Sequence, residues 1–311
     1  MATNNNHHEL EVKLHDAVFG NNGKCFLIID PTLERYHAST SFFEMLIKHN
    51  KHHISFPHQD LDGSLVLWLV SLDSNIPADL ALFEASIAHS LNELKPENVS
   101  QGIGRIVCSW ISTELSINDF SEQISHIAIQ RMQNMGSILL RFFDPAVFGS
   151  LYDILDDWQR QQLLTNINAW CYLDGDGMPQ IFNGDGGVFK KLNHSLGLTD
   201  SNLSKLHVIF RINRVLQRYR RLNIPEGMCE RQASRILHPA MSYFLSNFDT
   251  SDEGYVDFGI DVLINTSRFY LNPTFEKYIK DTANNGLPLY HIVRSRIDKN
   301  MWEIRTLNHL S

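Results

Sequence analysis

The 311-residue sequence predicts an α/β (α+β) N-terminal lobe with a mixed sheet, followed by an all-α C-terminal lobe. Short apolar runs alternate with segments of helical periodicity in the first part of the chain, which is typical of domains that combine strands and helices. In the last part only helical periodicity recurs. The charge changes with the pattern: residues 1–185 carry 10 Lys and Arg against 23 Asp and Glu, whereas residues 186–311 carry 17 against 12.

The domain boundary is predicted where this change occurs. Asn183-Gly184-Asp185-Gly186-Gly187 is a turn-forming run, and turn-forming clusters separate elements of regular structure. The predicted organisation has three parts: a flexible N-terminal segment over 1–23, an α/β domain over 24–186 and a helical lobe over 187–311.

Strands are predicted where apolar runs end at turn residues. The first run, KCFLIID, stops at an Asp-Pro pair, and the last two runs flank Asp-Gly-Asp-Gly, which favours a hairpin. The predicted strands are 24–30, 65–72, 104–112, 137–143, 167–173 and 178–182.

Helices are predicted from apolar spacing and from capping residues. Residues 77–94 carry apolar side chains at helical spacing. Ser116 is expected to cap a helix over 116–132, and Asp144 to cap another that has Pro145 at its first position. In the C-terminal lobe the same periodicity predicts helices at 188–196, 201–222, 226–247, 256–270, 274–284 and 287–297.

Composition and charge exclude several classes of protein. With 43% hydrophobic and 20% charged residues, the chain has the composition of a globular protein. A net charge of −8 argues against a general nucleic-acid binder. The longest apolar run, 64–72, is shorter than the roughly 18–20 residues that span a bilayer, so we expect no membrane insertion. The lack of a secretory signal and the irregular spacing of four cysteines favour a reduced, cytoplasmic protein.

Asp174 and Asp176 follow an apolar run and form the most enzyme-like feature of the sequence. Two carboxylates in this spacing hold a divalent metal in glycosyltransferases, which makes a metal-dependent transferase one alternative. Asp-Gly-Asp-Gly also encodes a tight turn, which is the favoured interpretation. The histidines at 49, 52, 53 and 58 are expected in a solvated loop. We therefore predict no catalytic residue, no bound metal and no cofactor.

An arginine stripe is predicted on the helix at 201–222. Arg211, Arg214, Arg218 and Arg221 fall within about 80° on one side of the helix, and the apolar residues fall on the opposite side. Residues 186–235 contain 10 basic and 3 acidic residues, so the stripe has few carboxylates nearby in sequence. It is a solvated face, a face paired with the acidic N-terminal lobe, or a partner-binding surface. A nucleic-acid-binding regulator is a further alternative, but the acidic chain favours a protein partner.

A short motif carries a resemblance to a known family. Arg141-Phe142-Phe143-Asp144-Pro145 lies between a predicted strand and a predicted helix, after the strand ending Leu69-Val70-Ser71-Leu72 and the strand-to-helix segment 112–127. This order over residues 24–185 resembles the type VI secretion effector adaptor/chaperone family (Tap/TEC), a domain linked to VgrG spike genes and first described without a function. The chain departs from the family at Ala146, where arginine is common.

The resemblance implies a non-enzymatic cytoplasmic protein. Members of this family bind a toxic effector, keep it stable and load it onto the VgrG spike. The effector and VgrG are therefore the expected partners. The motif also has a local explanation, since Asp144 can cap the following helix and Arg141 can brace Asp144 or a neighbouring carboxylate.

Overall fold

The computed structural model forms two compact units, Met1–Asp200 and Ser201–Ser311. The description below covers residues 2–36, 41–56, 65–95, 98, 104–132, 136–188, 194–222, 224, 227–251, 253–265, 268–283 and 286–297. No helix within these ranges is long and apolar enough to cross a membrane.

The first unit combines helices with strands, as predicted. Its elements in chain order are α1 (Ala2–Phe19), β1 (Lys24–Ile29), a 3₁₀ helix (Pro31–Tyr36), α2 (Ser41–Lys48), β2 (His52–Ser55), β3 (Val66–Asp73), α3 (Pro77–Glu93), β4 (Val107–Ser112), α4 (Ile117–Ala128), β5 (Ile129–Met132), β6 (Gly136–Leu139), α5 (Pro145–Ile154), α6 (Asp157–Leu163), β7 (Ala169–Leu173) and β8 (Pro179–Asn183).

Six of these strands form one sheet in the order β2-β3-β1-β4-β7-β8. Every neighbouring pair in this sheet is antiparallel, so the predicted fold class is confirmed but the expected mixed sheet is wrong. The physical reason is the position of β1. Strands β3 and β4, joined through α3, run in the same direction but do not pair, because β1 lies between them and is antiparallel to both.

Helices pack on both faces of the sheet. Every residue of β4 and β7 is buried, as expected for central strands covered on two sides. On one face, α1 and α3 pack together through the rings of Phe19 and Phe83, 5.2 Å apart. On the other, Phe120 of α4 stacks on Phe26 of β1 at 5.3 Å. The sheet is thus the middle layer of three.

The N-terminal segment is helical, and the predicted flexible segment over 1–23 is wrong for most of its length. Leu14 and Val18 of α1 are fully buried, and Leu10 and Phe19 are nearly so. These residues recur at helical spacing and face the sheet, so burial of their apolar surface holds the helix in place.

Short elements account for the other differences in this unit. His52 and His53 lie in β2 rather than in a loop, where they pair with β3, while His58 lies outside the described residues. The predicted helix 116–132 ends at Ala128, because the next four residues pair with β6. The predicted strand 137–143 ends at Leu139, and residues 141–144 form a turn closed by the Asp144 N–H and the Arg141 carbonyl.

The unit boundary lies after Asp200 instead of near residue 187. Residues 194–199 are not helical and belong to the first unit, while residues 189–193 of the helix predicted over 188–196 lie outside the described residues. The Leu196 N–H donates to Oε1 of Gln130 at 2.8 Å, and Nε2 of Gln159 donates to the Gly197 carbonyl at 3.2 Å. These buried amides bind the segment to the first unit, so the change in charge marks a turn within that unit.

The second unit is helical. Its elements are α7 (Asp200–Leu206), α8 (Ile209–Arg220), α9 (Glu230–Asn247), α10 (Gly254–Ile264), a 3₁₀ turn (Phe269–Leu271), α11 (Pro273–Thr282) and α12 (Tyr290–Arg294). The core is rich in aromatic rings, with Phe244, Phe248, Phe258 and Tyr290 fully buried and in mutual contact. The predicted helix 201–222 is two helices, interrupted at His207 and Val208.

Replacing Leu14 with alanine tests whether α1 is part of the fold. Leu14 is fully buried, so the change is expected to lower the free energy of unfolding by about 2–5 kcal/mol. Val12 lies on the same helix with 44% of its surface exposed, and Val12→Ala should change stability by less than about 0.5 kcal/mol. Urea denaturation followed by tryptophan fluorescence measures both. Equal, small effects would show that the segment does not contribute to the core.

Raising the pH is expected to destabilise the first unit through three buried thiols. Burial raises the pKa of Cys25 and Cys108 well above the ordinary thiol value, and that of Cys171 to about 12. Unfolded thiols ionise near about pH 8.5 while the folded ones stay protonated, so the free energy of unfolding falls as the pH rises further. Each thiol contributes a slope of about 1.4 kcal/mol per pH unit.

Two alanine variants isolate this effect. Cys171→Ala removes one buried thiol and should make the decrease in stability shallower between about pH 9 and about pH 11. Cys229 is exposed, so Cys229→Ala should leave the pH dependence as in the wild type. If the free energy of unfolding falls equally steeply with pH in both variants, burial of the Cys171 thiol does not cause the pH dependence.

Candidate functional site

The motif Arg141–Pro145 is built around a buried carboxylate. Asp30 directly follows β1, and only 1% of its side chain is exposed. Its Oδ1 accepts the Thr32 N–H at 3.0 Å and also accepts the Thr32 hydroxyl. Its Oδ2 accepts a guanidinium N–H of Arg141 at 2.9 Å. The Asp30 charge is therefore compensated by one cation and two local donors, as a buried charge requires.

Arg141 links this carboxylate to the start of α5. Its Nε lies 3.7 Å from Oδ2 of Asp144, and its guanidinium lies over the Phe143 ring at 5.3 Å. Burial disfavours the charged guanidinium, but Asp144 and Asp30 outweigh that effect and raise the pKa of Arg141 above its ordinary value. The structure thus brings Arg141 and Asp144 together, as predicted, and adds a closer partner, Asp30.

The remaining motif residues are internal. Asp144 accepts the Ala146 N–H at 2.9 Å as the N-cap of α5, and Pro145 is the first helical residue. Phe142 packs near Trp170, with ring centroids 5.5 Å apart, and Phe143 stacks near Phe56 at 5.7 Å. Both phenylalanines are fully buried, so only Arg141 and Asp144 present surface to solvent.

Cys108 lies close to the same charged groups but is not a candidate nucleophile. Burial, followed by the negative charges of Asp30 and Asp144, raises the pKa of its thiol well above the ordinary value. The thiolate is the nucleophilic form of cysteine, and this environment disfavours it.

Asp174 forms part of a hairpin turn. Its Oδ1 accepts the N–H groups of Asp176 and Met178, and its Oδ2 accepts Nε2 of Gln180 at 2.8 Å. Gly177 has φ = +76°, a conformation that favours glycine and closes the turn between β7 and β8. The carboxylate proposed as a metal ligand is thus already engaged by three donors, whereas Asp176 is exposed. The described ranges contain no group of three or more His, Cys, Asp or Glu placed to hold a metal.

The arginine stripe runs along α8 and ends at Arg221, the C-cap of that helix. It lies opposite Ile212, Val215 and Leu216, which are buried in the core of the second unit. Its first two members have partners at the start of α10. The Arg211 guanidinium lies 5.7 Å from the centre of the Tyr255 ring, and Arg214 contacts Oε1 of Glu253 at 3.3 Å. The Tyr255 hydroxyl and the Glu253 carboxylate raise the pKa of Arg214 above its ordinary value.

The second half of the stripe is open to solvent. Arg218 and Arg221 are exposed, and no described residue forms an ion pair with Arg218. Arg220, which lies outside the stripe, pairs with Glu230 of α9. The stripe therefore divides into Arg211 and Arg214, which contact residues at the start of α10, and the exposed Arg218 and Arg221.

Sequence analysis missed a buried network in the second unit. Asp261 of α10 accepts the Tyr290 hydroxyl at 2.7 Å, and Arg294 binds both of its carboxylate oxygens at 2.7 and 2.9 Å. Burial raises the pKa of Asp261 even though Arg294 and Tyr290 favour the ionised form. The network joins α10 to α12. The available signal was Asp261 as the one charged residue of the apolar stretch 258–264.

Replacing Arg141 with alanine is expected to destabilise the first unit. It leaves the Asp30 carboxylate buried without a cation, a change that typically costs about 3–5 kcal/mol when a pair is wholly buried. Because about a third of the Arg141 side chain is exposed, we expect a loss near the lower end, about 2–3 kcal/mol. Urea denaturation measures it.

A double-mutant cycle separates this pair from general destabilisation. Asp30→Asn removes the charge that Arg141 compensates, so Arg141→Ala should cost less in that background. Arg131→Ala, at an exposed arginine of β5, is the matched control and should be neutral within about 0.5 kcal/mol. Strict additivity of the Asp30 and Arg141 changes would contradict the assigned pair.

The two candidate features thus differ in kind. The Arg141 cluster is a mostly buried brace within the first unit, whereas the outer half of the α8 stripe is an exposed basic face.

Comparison of this chain with protein-family models, curated proteins and solved structures gives no match.

Proposed function

We propose that this protein is a cytoplasmic adaptor/chaperone that binds a type VI secretion effector and loads it onto the VgrG spike. The family assignment is supported by the Arg141–Pro145 motif and by the order of elements around it. The binding role is supported by one observation above all, the exposed arginine face of α8. Under this proposal the protein has no catalytic residue and needs no cofactor.

The α8 face suits a partner that carries carboxylates. Guanidinium groups bind carboxylates through two parallel hydrogen bonds, which fixes geometry as well as charge. The Arg214–Glu253 pair is solvent-exposed on both sides, with 46% and 72% of the side chains accessible, and exposed pairs are weak. A partner carboxylate can therefore replace Glu253 at small cost.

Packing explains why the stripe is not needed for folding. The buried side of α8 supplies Ile212, Val215, Leu216 and Tyr219 to the core, and Arg220 joins α8 to α9. Arg214 and Arg218 add little to either contact. Like charges one turn apart repel one another modestly, so an acidic partner also relieves that repulsion.

Affinity purification from a strain with an active type VI secretion system tests the proposal. The wild-type protein should recover a toxic effector together with VgrG. Arg214→Glu with Arg218→Glu should reduce that recovery markedly without lowering the melting temperature, because both side chains are exposed. Wild-type recovery should also decrease as salt is raised, since exposed charges are screened.

A second charge reversal controls for net charge. Lys277→Glu with Lys280→Glu changes the charge of the same unit equally, at exposed positions of α11. This variant should recover the partners as the wild type does. Recovery of nucleic acid or of a sugar-nucleotide enzyme complex, with neither toxin nor spike protein, would overturn the proposed function.

A further inference from the structure

The six-stranded sheet ends at β8 in an open edge. Within the part of the chain that the structure describes, β8 pairs only with β7, and the register has no bulge. The strand carries no charged side chain, although charges, bulges and covering elements are the means by which proteins protect a sheet edge. At the opposite edge, β2 is in contact with α4, because the Ser125 hydroxyl donates to the Ser55 carbonyl at 2.8 Å.

The register of the hairpin shows which backbone groups face outward. The Asp174 N–H donates to the Met178 carbonyl, and the Gly184 N–H donates to the Asn168 carbonyl. Bonded pairs alternate along an antiparallel ladder, so the even-numbered residues of β8 bond to β7 and the odd-numbered ones face away. None of the outward backbone groups bonds to a described residue. They belong to Pro179 (the carbonyl only), Ile181 and Asn183.

An apolar groove adjoins the start of this open edge. The groove has a volume of about 460 Å³ and lies between α1, α3 and the hairpin turn. Leu10, Leu91, Met178 and Pro179 are its apolar lining, and Met178 is 56% exposed. Pro179 belongs both to the groove and to the open edge. A strand added to the edge would therefore bring a side chain to the groove.

A polar cavity of about 370 Å³ adjoins the other end of β8, on the opposite face of the sheet. Its lining includes Tyr152, Arg160 and the exposed Asp185. Oδ1 of Asp185 accepts the Asn166 N–H at 2.8 Å, but no described residue forms an ion pair with this carboxylate. Arg160 is engaged elsewhere, because it donates to the Tyr152 carbonyl and pairs with Asp157. The cavity therefore offers a carboxylate to a cation.

We infer that the open edge of β8 binds an extended segment of another protein as an additional antiparallel strand. The segment places an apolar side chain in the groove beside α1 and a lysine or arginine at Asp185. Strand addition of this kind combines backbone hydrogen bonds with pockets for alternate side chains. The inference concerns a surface of the first unit, and it depends neither on the adaptor function nor on the α8 stripe.

The positions of the groove and the cavity fix the spacing in the partner segment. Side chains that lie directly opposite each other on neighbouring strands share a face of the sheet. The residue opposite Pro179 is therefore on the face of the groove, and the residue opposite Gly184 is on the face of the polar cavity. In an antiparallel strand these two residues are five positions apart, with the basic residue first. An odd separation places their side chains on opposite faces, as the two sites require.

A second copy of this chain does not meet these requirements. Two-fold antiparallel pairing that uses all three outward-facing residues is centred on Ile181. It places Asn183 of the second copy at the apolar groove and Met178 of that copy at Asp185. An amide buried in an apolar groove loses its hydrogen bonds to water, and a thioether provides no positive charge for the carboxylate. The occupant is therefore a foreign segment rather than β8 itself.

Two peptides of identical composition test the inference on the full-length protein. Each is a fluorescein-labelled nonapeptide of one lysine, one leucine and seven threonines, because threonine favours extended structure. The lysine precedes the leucine by five positions in one peptide and by four in the other, and this one-residue change moves the leucine to the other face. In fluorescence anisotropy the wild type should bind the five-spaced peptide about tenfold more tightly.

Variants of β8 separate the backbone contribution from the side-chain contribution. Asn183→Pro removes an outward N–H that the sheet does not use, and should weaken the five-spaced peptide about fivefold. Asn183→Ala keeps that N–H, so it is the matched control and should bind as the wild type does. Asp185→Asn keeps an acceptor for the Asn166 N–H but loses the charge, so it should weaken the five-spaced peptide and remove the salt dependence of binding.

Circular dichroism melting shows which variants fold. Equal binding of the two peptides by the wild type would overturn the inference, as would equal binding of the five-spaced peptide by a folded Asn183→Pro variant and by Asn183→Ala. If Asn183→Pro does not fold, Asp185→Asn decides, and unchanged affinity and salt dependence in that variant would overturn the inference. Self-association of the wild type that Asn183→Pro abolishes would assign the edge to a second copy instead.

Discussion

The first unit depends on compensation of the Asp30 carboxylate, which is buried at the end of the central strand β1. An unpaired carboxylate at this position would cost several kcal/mol, on the order of 3–5 kcal/mol. Arg141 supplies the cation from a segment 111 residues away, and the Asp30 N–H donates to the Ile106 carbonyl beside β4. The same guanidinium contacts Asp144, the cap of α5. One arginine therefore joins the end of β1 to the start of α5, and its contact with Asp144 accounts for the three-residue spacing of Arg141 and Asp144.

The parts of this fold that follow local rules could be predicted from the sequence. Apolar runs indicated β1, β3, β4, β7 and β8, and the Asp144-Pro145 pair indicated the start of α5. Elements decided by tertiary pairing could not. Strand β2 is only four residues long and contains two histidines, so it lacks an apolar run, and β5 continues directly from a helix. The Asn- and His-rich start of α1 concealed the spacing of Leu14 and Val18.

The candidate site divides in the same way. Helical periodicity placed the arginines of α8 on one face, because the period of a helix is fixed by its backbone. It could not show that Tyr255 and Glu253 hold the first two while Arg218 stays open, since those contacts depend on the packing of α10 against α8. The role of Asp30 was hidden for a related reason. Arg141 has a carboxylate three residues away in sequence, yet its closest partner is Asp30, which directly follows β1.

Arginine serves two opposed purposes in this chain, and the difference lies in solvent exposure. Arg141 and Arg294 bind two carboxylates that are nearly inaccessible to solvent, Asp30 and Asp261. Removal of either arginine would therefore leave a buried carboxylate without its cation. Arg214 and Arg218 do not compensate a buried charge, because Arg214 pairs with an exposed glutamate and Arg218 is exposed to solvent. Stability therefore does not account for placing these two arginines one turn apart on an exposed face. The proposed adaptor function accounts for them, because exposed charges set the rate and the salt dependence of binding rather than the stability of the fold.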